Sequence, residues 1–410
     1  MTKDTFPLGY CTNVHAGVEL EQAQANLQQY AVPIRDKVCP GKSLPVGLWL
    51  SENAVQTLKE PQKCEAFRRW MNQAGLGVYT FNGFPQGDFH QPVVKHEVYK
   101  PTWLEPARLE HTQRLADVMS NLLESDQTLG SISTLPLGWP HEPWGEIEFA
   151  ACAANLKRLA DHLAQIYEES GKEIVVAIEP EPGCVLNTAP EISEFFTKYL
   201  FDSDNAENAK KHLSVCHDIC HSGVMFEPQA TALGLYRSAG IRIGKVQVSS
   251  AVHVGWDECK SAPERQTATL GQLKTFNEPK YLHQTTTCNE QGELSEMCTD
   301  LPYALENWIE ADAFPSVPWR IHFHVPIHIS KFDFLGTTQR DIVDATDYLE
   351  KHSAEETDGN KWFTGHYEVE TYAWPVLPPM LAESDLSSGI AKELQYFQAI
   401  LQQSGPSTPI

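Results

Sequence analysis

Carboxylates, imidazoles and an amide lie at or just beyond the ends of several short apolar segments in the second half of the chain. In chain order they are Glu179 and Glu181 after IVVAI (174–178), Asp218 and His221 in LSVCHDICHSG (213–223), Gln247 in KVQVSS (245–250), His322 and His324 in IHFHVPIH (321–328), and Glu368 and Glu370 in HYEVETY (366–372). If these segments are neighbouring strands, several negative charges meet at one edge, which is tolerated only when a cation or shared protons neutralise them. The pattern predicts a site for metal binding or proton transfer.

Oxygen and imidazole ligands with no requirement for a thiolate suit Mn²⁺, Mg²⁺, Co²⁺ or Zn²⁺, and they leave positions open for a substrate. Each residue also has a purely structural interpretation. Glu179 could be a solvated strand end, and Asp218 could cap a helix beside a surface His221. We favour the metal-site interpretation because the same pattern recurs at several strand ends.

Two further choices concern residues that are two apart. His322 and His324 alternate with Phe323, which places both imidazoles on one face of an extended segment. A single buried histidine satisfied by the backbone would be unremarkable, whereas a pair on one face favours a functional role. Glu368 and Glu370 also share a face, and we prefer Glu370 as the ligand, with Glu368 as the alternative.

Short apolar or β-branched runs alternate with amphipathic segments along the chain, the clearest being 148–169, where apolar residues recur at helical spacing. Such alternation predicts an α/β fold with parallel strands, a single (β/α)₈ TIM barrel whose site lies at the carboxyl ends of its strands. Nine segments qualify as strands where a closed barrel needs eight, so either 244–250 or 319–327 is the seventh barrel strand. The other segment would then belong to the rim. The candidate strands are 7–14, 45–51, 77–84, 130–137, 173–181, 213–220, 244–250, 319–327 and 366–372.

Two long stretches interrupt this alternation and predict an elaborated rim. Residues 82–103 are rich in Gly, Pro and aromatic residues, and a loop of this length is unusual unless it covers a site, so we expect a lid. Residues from about 251 to 318 contain no clean β/α unit and predict an insertion. No flexible linker divides the chain, which predicts one domain over 1–403, followed by a disordered tail at 404–410.

Composition restricts the partners and the compartment. The chain of 410 residues has 31 Lys and Arg against 54 Asp and Glu, a net charge of −23 that opposes general binding to nucleic acids or anionic membranes. No apolar run approaches the roughly 20 residues needed to cross a bilayer, and the start has no signal-peptide pattern. Ten irregularly spaced cysteines form no disulfide framework. We therefore expect a cytoplasmic protein; its oligomeric state is not indicated.

Taken together, IEP, CHDICH, the strand containing Gln247 and the final EVET resemble the xylose-isomerase-like TIM barrels, a superfamily of sugar isomerases, sugar epimerases and type IV apurinic endonucleases. A more detailed resemblance extends over nearly the whole chain. The segments GYCTNVHAG, TFNGFPQGDFH, GSISTLPLGW, RIHFHVPIHIS and YEVETYAWPVLP are similar to the EboE-type proteins encoded in bacterial Ebo metabolite-traffic clusters.

The superfamily resemblance implies a mononuclear metal site whose ligands come from successive strands. Carried over residue by residue, these ligands are Glu179, Asp218, Gln247 and Glu370. His221 corresponds to a histidine that faces substrate in the epimerases and binds an additional metal in the endonucleases. His322 and His324 occupy the region of the Asp-x-His pair of the endonucleases, so these three histidines are candidate ligands of a second metal. The endonucleases also take histidines from the third and fourth strands, which here end FNGFP and STLPLG without one.

The resemblance implies a metal-dependent isomerase or epimerase that acts on a small sugar, polyol or cyclitol, in free or phosphorylated form. Glu179 and Glu370 are then the catalytic carboxylates that move a substrate proton through an enediolate, and His221 hydrogen-bonds the developing oxyanion. Two alternatives remain open. One is a metal-dependent phosphoesterase with two ions, and the other is a non-catalytic metabolite-binding protein.

Overall fold

The computed structural model describes residues 8–141, 144–202, 206–256, 262–309, 315–383 and 385–404. Its strands fall into a closed barrel and two smaller sheets. In chain order the strands are β1 (Gly9–Cys11), β2 (Leu44–Trp49), β3 (Leu76–Asn82), β4 (Leu129–Thr134), β5 (Glu173–Ile178), β6 (Leu213–Asp218), β7 (Ile243–Val248), β8 (Val252–Val254), β9 (Thr285–Cys288), β10 (Leu294–Cys298), β11 (Trp319–Ile321), β12 (Lys331–Phe332), β13 (Leu335–Thr337), β14 (Glu356–Thr357), β15 (Asn360–Lys361) and β16 (Tyr367–Val369).

Helices connect most of the barrel strands and pack around the outside. They are α1 (Leu20–Asn26), α2 (Val32–Val38), α3 (Glu52–Leu58), α4 (Pro61–Gln73), α5 (Pro106–Leu122), α6 (Glu146–Ser170), α7 (Ala189–Phe195), α8 (Glu207–His212), α9 (Ile219–Val224), α10 (Gln229–Ser238), α11 (Pro263–Leu273), α12 (Leu301–Asn307), α13 (Gln339–His352) and α14 (Leu386–Ser404). Short π-helical segments continue α1 and α7, at Leu27–Ala31 and Phe196–Leu200.

The barrel consists of eight parallel strands in the order β1-β16-β7-β6-β5-β4-β3-β2. The predicted (β/α)₈ architecture is thereby confirmed. The segment 244–250 supplies the seventh barrel strand, since β7 pairs with β6 and with β16. The segment 319–327 supplies β11 instead, which pairs antiparallel with β8 and β9 outside the barrel.

Local sequence explains the individual elements. In β5, five consecutive residues of EIVVAI are buried, because the barrel interior covers one face and helices cover the other. In α6, the buried residues Leu156, Leu159 and Leu163 form one stripe at helical spacing. The helix starts where Glu148 Oε2 accepts a hydrogen bond from the amide of Gly145 at 2.9 Å, and it ends at Gly171, whose φ of 71° is left-handed.

The insertion folds as a separate antiparallel sheet of six strands in the order β10-β9-β11-β8-β13-β12. It therefore extends beyond the expected end at 318, as far as β13, because the apolar run around 319–327 belongs to this sheet. The amide of Val325 donates to Ser250 O at 3.0 Å, and the amide of Thr338 donates to Ala251 O at 3.0 Å. These bonds hold the sheet against the carboxyl end of β7, above the barrel.

The segment 82–103 is fastened at both of its ends and in its middle. The buried guanidinium of Arg108, in α5, donates to Phe84 O at 3.0 Å and to Pro101 O at 2.8 Å. The amide of Val94 donates to Lys280 O in the insertion at 2.8 Å. The segment and the insertion therefore meet over the carboxyl end of the barrel.

Two expectations concern the outer limits of the chain and its relation to a bilayer. In the described part of the chain, each helix is too short or too polar to cross a membrane. The last helix, α14, includes Ser404, and the rest of the expected tail, 405–410, lies outside the described residues.

Candidate metal centre

Three carboxylates converge at the carboxyl end of the barrel. Glu179 directly follows β5, Asp218 ends β6, and Glu370 directly follows β16. Each offers an oxygen within 4.8 Å of an oxygen of the other two, and all three side chains are buried. The structure thus brings together the three acidic residues that the sequence analysis singled out as ligands.

Gln247 lies beside this cluster. It sits in β7, and the strand register pairs it with Asp218 in β6. The side chain is fully buried, yet neither its amide oxygen nor its amide nitrogen has a hydrogen-bond partner among the described residues. Leaving a buried amide unpaired costs about 1–3 kcal/mol, so a ligand for Gln247 is expected.

The donor set fits a divalent cation. Besides Gln247, the buried atoms without a hydrogen-bond partner in the described chain include Glu179 Oε2, Asp218 Oδ2 and His324 Nε2. These are carboxylate oxygens, an amide oxygen and an imidazole nitrogen, the donors that Mg²⁺, Mn²⁺, Co²⁺ and Zn²⁺ accept. A cation would satisfy these atoms and neutralise the clustered carboxylates at the same time.

Asp218 combines the structural role and the candidate ligand role that the sequence left as alternatives. Its Oδ1 accepts a hydrogen bond from the amide of His221 at 2.9 Å, and this bond caps α9. The same oxygen accepts a second bond from Ser249 Oγ at 2.7 Å. Its Oδ2 has no such partner and points to the cluster. Capping therefore fixes the carboxylate and leaves one oxygen available.

The three histidines each use Nδ1 to anchor the ring. His221 Nδ1 lies 2.8 Å from Pro180 O, His322 Nδ1 lies 2.8 Å from Gln284 Oε1, and His324 Nδ1 lies 2.9 Å from Glu370 O. Because all three partners are carbonyl oxygens, each Nδ1 donates the hydrogen bond, and each Nε2 is presented to the site. His221 Nε2 and His322 Nε2 face each other at 3.1 Å.

These imidazoles belong to three overlapping groups of candidate ligands. Donor atoms of Asp218, His221 and His324 lie within 4.8 Å of one another, as do those of Glu181, His221 and His322, and those of Cys220, His322 and His324. Glu181 was noticed in the sequence without an assigned role. The structure places it in the second group, with His221 and His322, whereas His324 lies in the first group, with Asp218 and His221.

Burial and mutual repulsion shift the pKa values of the cluster. Burial raises the pKa of Glu179 to about 7, and it raises the pKa of Glu370 well above the ordinary value, reinforced by Glu179 and Asp218. Burial would also raise the pKa of Asp218, but His221 and His324 outweigh it and lower that pKa. Three adjacent carboxyls therefore resist simultaneous ionisation unless a cation is bound.

The choice between Glu368 and Glu370 depends on what each carboxylate contacts. Glu368, inside β16, forms a fully buried ion pair with Lys245 at 2.5 Å. Glu370, two residues later, reaches the cluster with Glu179 and Asp218. The preference for Glu370 agrees with this arrangement, because Glu368 lies deeper in the barrel and its carboxylate is paired with Lys245.

Two asparagines that the sequence analysis missed hold Glu370. Asn13 Nδ2 donates to Glu370 Oε1 at 2.6 Å, and Asn82 Nδ2 donates to the same oxygen at 3.1 Å. Asn82 is the last residue of β3, and Asn13 closely follows β1, so the available signal was again a polar residue at a strand end. Their donors leave Glu370 Oε2 to face the cluster.

Tyr99 and Gln284, also missed, position the second group. The Tyr99 hydroxyl donates to Glu181 Oε1 at 2.7 Å. Gln284 Nε2 donates to Pro182 O at 2.9 Å, while its Oε1 accepts from His322. Both residues come from the rim, where an irregular sequence gives no periodic signal.

A cavity opens above the carboxylates. Its floor contains Glu179, Glu181, Glu370 and the three imidazoles. Its walls come from the chain after β1, the segment 82–103, the insertion and the chain after β16. They include Asn13, Asn82, Phe84, Pro85, Phe89, Val94, Lys95, Val98, Tyr99, Tyr281, Leu282 and Tyr372.

Comparison with known proteins identifies the fold. No protein-family model and no curated protein sequence matches the chain. A xylose isomerase-like TIM barrel protein from Mycobacterium smegmatis, solved in complex with magnesium, is 11% identical over 97% of each chain, with a TM-score of 0.50. A xylose isomerase domain protein from Planctomyces limnophilus is 13% identical, with a TM-score of 0.49, over 97% of this chain and 98% of its own.

An L-ribulose 3-epimerase is 13% identical, with a TM-score of 0.46, over 97% of this chain and 95% of its own. Identities this low show shared architecture and leave the chemistry to be argued from the site. The chain has the fold of the xylose-isomerase-like TIM barrels.

Proposed function

We propose that the protein is a metal-dependent isomerase or epimerase that acts on a small molecule with adjacent carbonyl and hydroxyl groups, of the sugar, polyol or cyclitol type. The observation that carries this proposal is the convergence of Glu179, Asp218 and Glu370 with the unpaired amide of Gln247 at the base of a cavity. One divalent ion held by these four residues would polarise the carbonyl and make the neighbouring C–H more acidic.

The two glutamates would move the substrate proton. Glu179 and Glu370 come from strands separated in the barrel by β6 and β7, so they approach a bound substrate from different directions. One carboxylate removes the proton next to the carbonyl, and a carboxyl returns it to the resulting enediolate. Return to the same carbon from the other side gives epimerisation, and return to the neighbouring carbon gives isomerisation.

Other residues would orient the reacting groups and exclude water. Asn13 and Asn82 fix Glu370, and Pro180 O fixes the ring of His221. Burial alone would lower the pKa of His221, but Asp218, Glu181 and Glu179 outweigh burial and raise it, so the imidazolium form would donate from Nε2–H to a developing oxyanion. The segment 82–103 and the insertion line the cavity above the carboxylates, which would limit the access of solvent to an enediolate.

The decisive experiment is solvent isotope exchange. Protein loaded with Mg²⁺ or Zn²⁺ is incubated in D₂O with a series of α-hydroxy ketones, and deuterium on the carbon next to the carbonyl is followed by NMR. We expect exchange that falls by roughly 10² to 10⁴ in Glu179→Gln and Glu370→Gln. Glu110→Gln, at a carboxylate with 62% exposure, is the control. Near-native exchange by both site variants with metal bound would refute the assignment.

We also propose a cytoplasmic role in an Ebo-type metabolite pathway. The support is the similarity of segments such as RIHFHVPIHIS and YEVETYAWPVLP to EboE-type proteins. Deleting the gene and comparing the small metabolites of the two strains tests it, and unchanged metabolite profiles would contradict it.

A second candidate function is hydrolysis of a phosphate ester with two metal ions. It is favoured by the facing Nε2 atoms of His221 and His322, 3.1 Å apart and next to Glu181, an arrangement that a second cation would stabilise. Metal analysis separates the two candidates. About one ion per chain supports the isomerase or epimerase, and two ions with metal-dependent phosphatase activity would support the hydrolase.

A further inference from the structure

The walls of the cavity differ in chemistry from its floor. The floor is made of carboxylates and imidazoles, whereas the part that lies farther from them is lined mainly by apolar and aromatic side chains of the segment 82–103 and the insertion. Phe89, Val94 and Leu282 are the residues on which the inference depends. All three are buried, although they face the cavity.

Aromatic packing makes this wall rigid. The ring of Phe89 lies 5.0 Å from the ring of Tyr281 and 5.7 Å from that of Tyr372, and these two tyrosine rings lie 5.1 Å apart. Tyr372 in turn packs against His324 at 4.6 Å. The apolar wall is therefore continuous with the candidate metal centre.

Asn13, which holds Glu370, lines the cavity with an Oδ1 that has no hydrogen-bond partner among the described residues. The part of the wall formed by Phe84, Phe89, Val94 and Leu282, in contrast, offers little to hydroxyl groups. The hydroxyl of Tyr99 already donates to Glu181 and accepts a bond from Gln284 Nε2 at 3.2 Å. The side chains of Phe84, Val94 and Leu282 carry no polar atom. A polyhydroxylated chain placed here would lose hydrogen bonds to water without equivalent replacements.

Away from the candidate metal centre, the cavity is equally unsuited to a phosphate group. Among the described residues that line it, Lys95 is the one lysine or arginine, and its Nζ is paired with Asp300 at 2.5 Å. Asp300 is held in place, with its side chain 4% exposed, by bonds from the amides of His283 and Leu301 at 3.0 Å. Phosphate recognition ordinarily uses unpaired Arg or Lys or a helix N-terminus.

We propose that the substrate carries an uncharged, apolar substituent next to its reacting hydroxy-carbonyl group, and that Phe89, Val94 and Leu282 form the subsite that selects it. The identity of the reacting group rests on the proposed function. The preference for an apolar tail rests separately on the wall. Free ketohexoses and sugar phosphates are then poor ligands.

A series of ligands with one constant head tests this preference. Each contains HOCH₂–CO–, with a phenyl, hydroxymethyl, polyhydroxyalkyl or phosphate-bearing tail: 2-hydroxyacetophenone, dihydroxyacetone, L-erythrulose and dihydroxyacetone phosphate. Dissociation constants are measured by ligand-observed NMR with Mg²⁺-loaded protein, and deuterium exchange is recorded in the same samples. We expect the phenyl compound to bind at least about tenfold more tightly than the others, since burying apolar groups in a pocket gives discrimination of this size.

Neighbouring residues provide a matched pair of variants. Val94 faces the cavity, whereas Val93 is 55% exposed. Val94→Ser should reduce the preference for the phenyl compound severalfold, and Val93→Ser should leave it unchanged. Leu282→Asn, on the insertion side, should reduce it as well, and thermal unfolding of each variant confirms that the fold is retained.

The outcomes separate this inference from the proposed function. Tight binding of the phenyl compound with no exchange in any ligand supports the apolar subsite and refutes the isomerase or epimerase. Exchange that is fastest with L-erythrulose or dihydroxyacetone phosphate supports the enzyme and overturns the apolar subsite. Failure of the phenyl compound to bind at millimolar concentration, or an equal effect of Val93→Ser and Val94→Ser, also overturns the subsite.

Discussion

Lys245 Nζ lies 2.5 Å from Glu368 Oε2 inside the barrel, and neither side chain is exposed to solvent. Burial alone would lower the pKa of Lys245, but Glu368 outweighs burial and raises it, so the pair is an ion pair. This ion pair gives Glu368 a different role from Glu370, although the sequence pattern places both side chains on the same face of the strand. Glu368 neutralises a buried lysine, and Glu370 is left to join Glu179 and Asp218.

This difference in role predicts opposite effects for two similar substitutions. Glu368→Gln leaves Lys245 buried without its counter-charge and should lower the free energy of unfolding by about 3–5 kcal/mol. Glu370→Gln removes one of three crowded carboxyls and should leave stability in EDTA unchanged or slightly higher, while abolishing most of the exchange activity. Urea denaturation in EDTA measures the first effect, and equal losses of stability in the two variants would contradict the assignment.

Metal binding should depend most on Asp218, the carboxyl whose pKa is lowered. Asp218→Asn keeps an oxygen that can cap α9 but replaces the oxygen that faces the cluster, so affinity for Mn²⁺ or Zn²⁺ should fall at least about tenfold. The rise in melting temperature on adding metal should shrink accordingly.

Substitution of two histidines, one in the cluster and one outside it, provides a control for the metal-binding experiment. His324→Asn should weaken binding, whereas His328→Asn should not, because His328 lies near Glu383 and Lys392 and not in the cluster. Elemental analysis of protein purified without chelator gives the stoichiometry. A wild-type protein with no bound metal and no stabilisation by added ions would remove the basis for the site.

The barrel and its ligands could be predicted from sequence because both follow from short-range patterns. Buried runs such as IVVAI predict barrel strands, and a polar residue after such a run must lie at the carboxyl end. Glu179, Asp218 and Glu370 met these conditions. The sequence could not decide whether 244–250 or 319–327 is the seventh barrel strand, because an apolar run of this length also fits a strand of a separate antiparallel sheet.

The rest of the site depends on contacts between distant segments. Nothing near Lys245 in the sequence shows that it faces Glu368, more than a hundred residues away. Tyr99 and Gln284 reach Glu181 from the rim, where strand and helix periodicity is absent. Such partners are fixed by how the segment 82–103 and the insertion meet, which local patterning does not specify.

Asn13 should act as a positioning residue through its bond to Glu370. Asn13→Ala removes the shorter of the two donors to Glu370 Oε1, so kcat should fall roughly 10-fold to 100-fold with little change in KM. Losing a donor to the carboxylate also raises its pKa, which should move the rising limb of the pH–rate profile to higher pH. Asn53→Ala, at an asparagine bound to Glu19 at an exposed position, should change neither quantity.

The buried ion pair also constrains β2, which is separated from β16 by β1 in the barrel. A Cβ at Gly47, in β2, would overlap the carboxylate of Glu368, which Lys245 holds in place. Gly47→Ala should therefore destabilise the protein by about 1–3 kcal/mol. In β3, a Cβ at Gly77 would lie 3.4 Å from Ser43 Oγ, so Gly77→Ala is a matched control with little strain. Similar urea midpoints for the two variants would contradict this prediction, because they would show that the space beside Gly47 can accommodate a methyl group.

The free energy of unfolding should vary with pH because of Glu393. Its carboxyl group connects α14 to the insertion and to the chain that follows β16. The carboxyl accepts bonds from Thr371 Oγ1 at 2.6 Å, Trp374 Nε1 at 3.0 Å and the amide of Ile327 at 3.1 Å. Burial raises its pKa from 4.5 to about 7. Folding therefore takes up a proton between these values, and the stabilisation from this group is complete below about pH 4.5 and is lost as the pH rises through about 7.

Glu393→Gln removes this titration. The free-energy difference between wild type and Glu393→Gln should be larger at pH 5 than at pH 8 by about 2–3 kcal/mol, in addition to a constant penalty from placing an amide N–H against one of the three donors. Chemical denaturation at both pH values measures it. Glu110→Gln, at an exposed carboxylate, should differ from wild type by no more than about 0.5 kcal/mol at either pH. If Glu393→Gln lost the same free energy at pH 5 and pH 8, the carboxyl would be ionised throughout, stabilised by its three donors against the cost of burial.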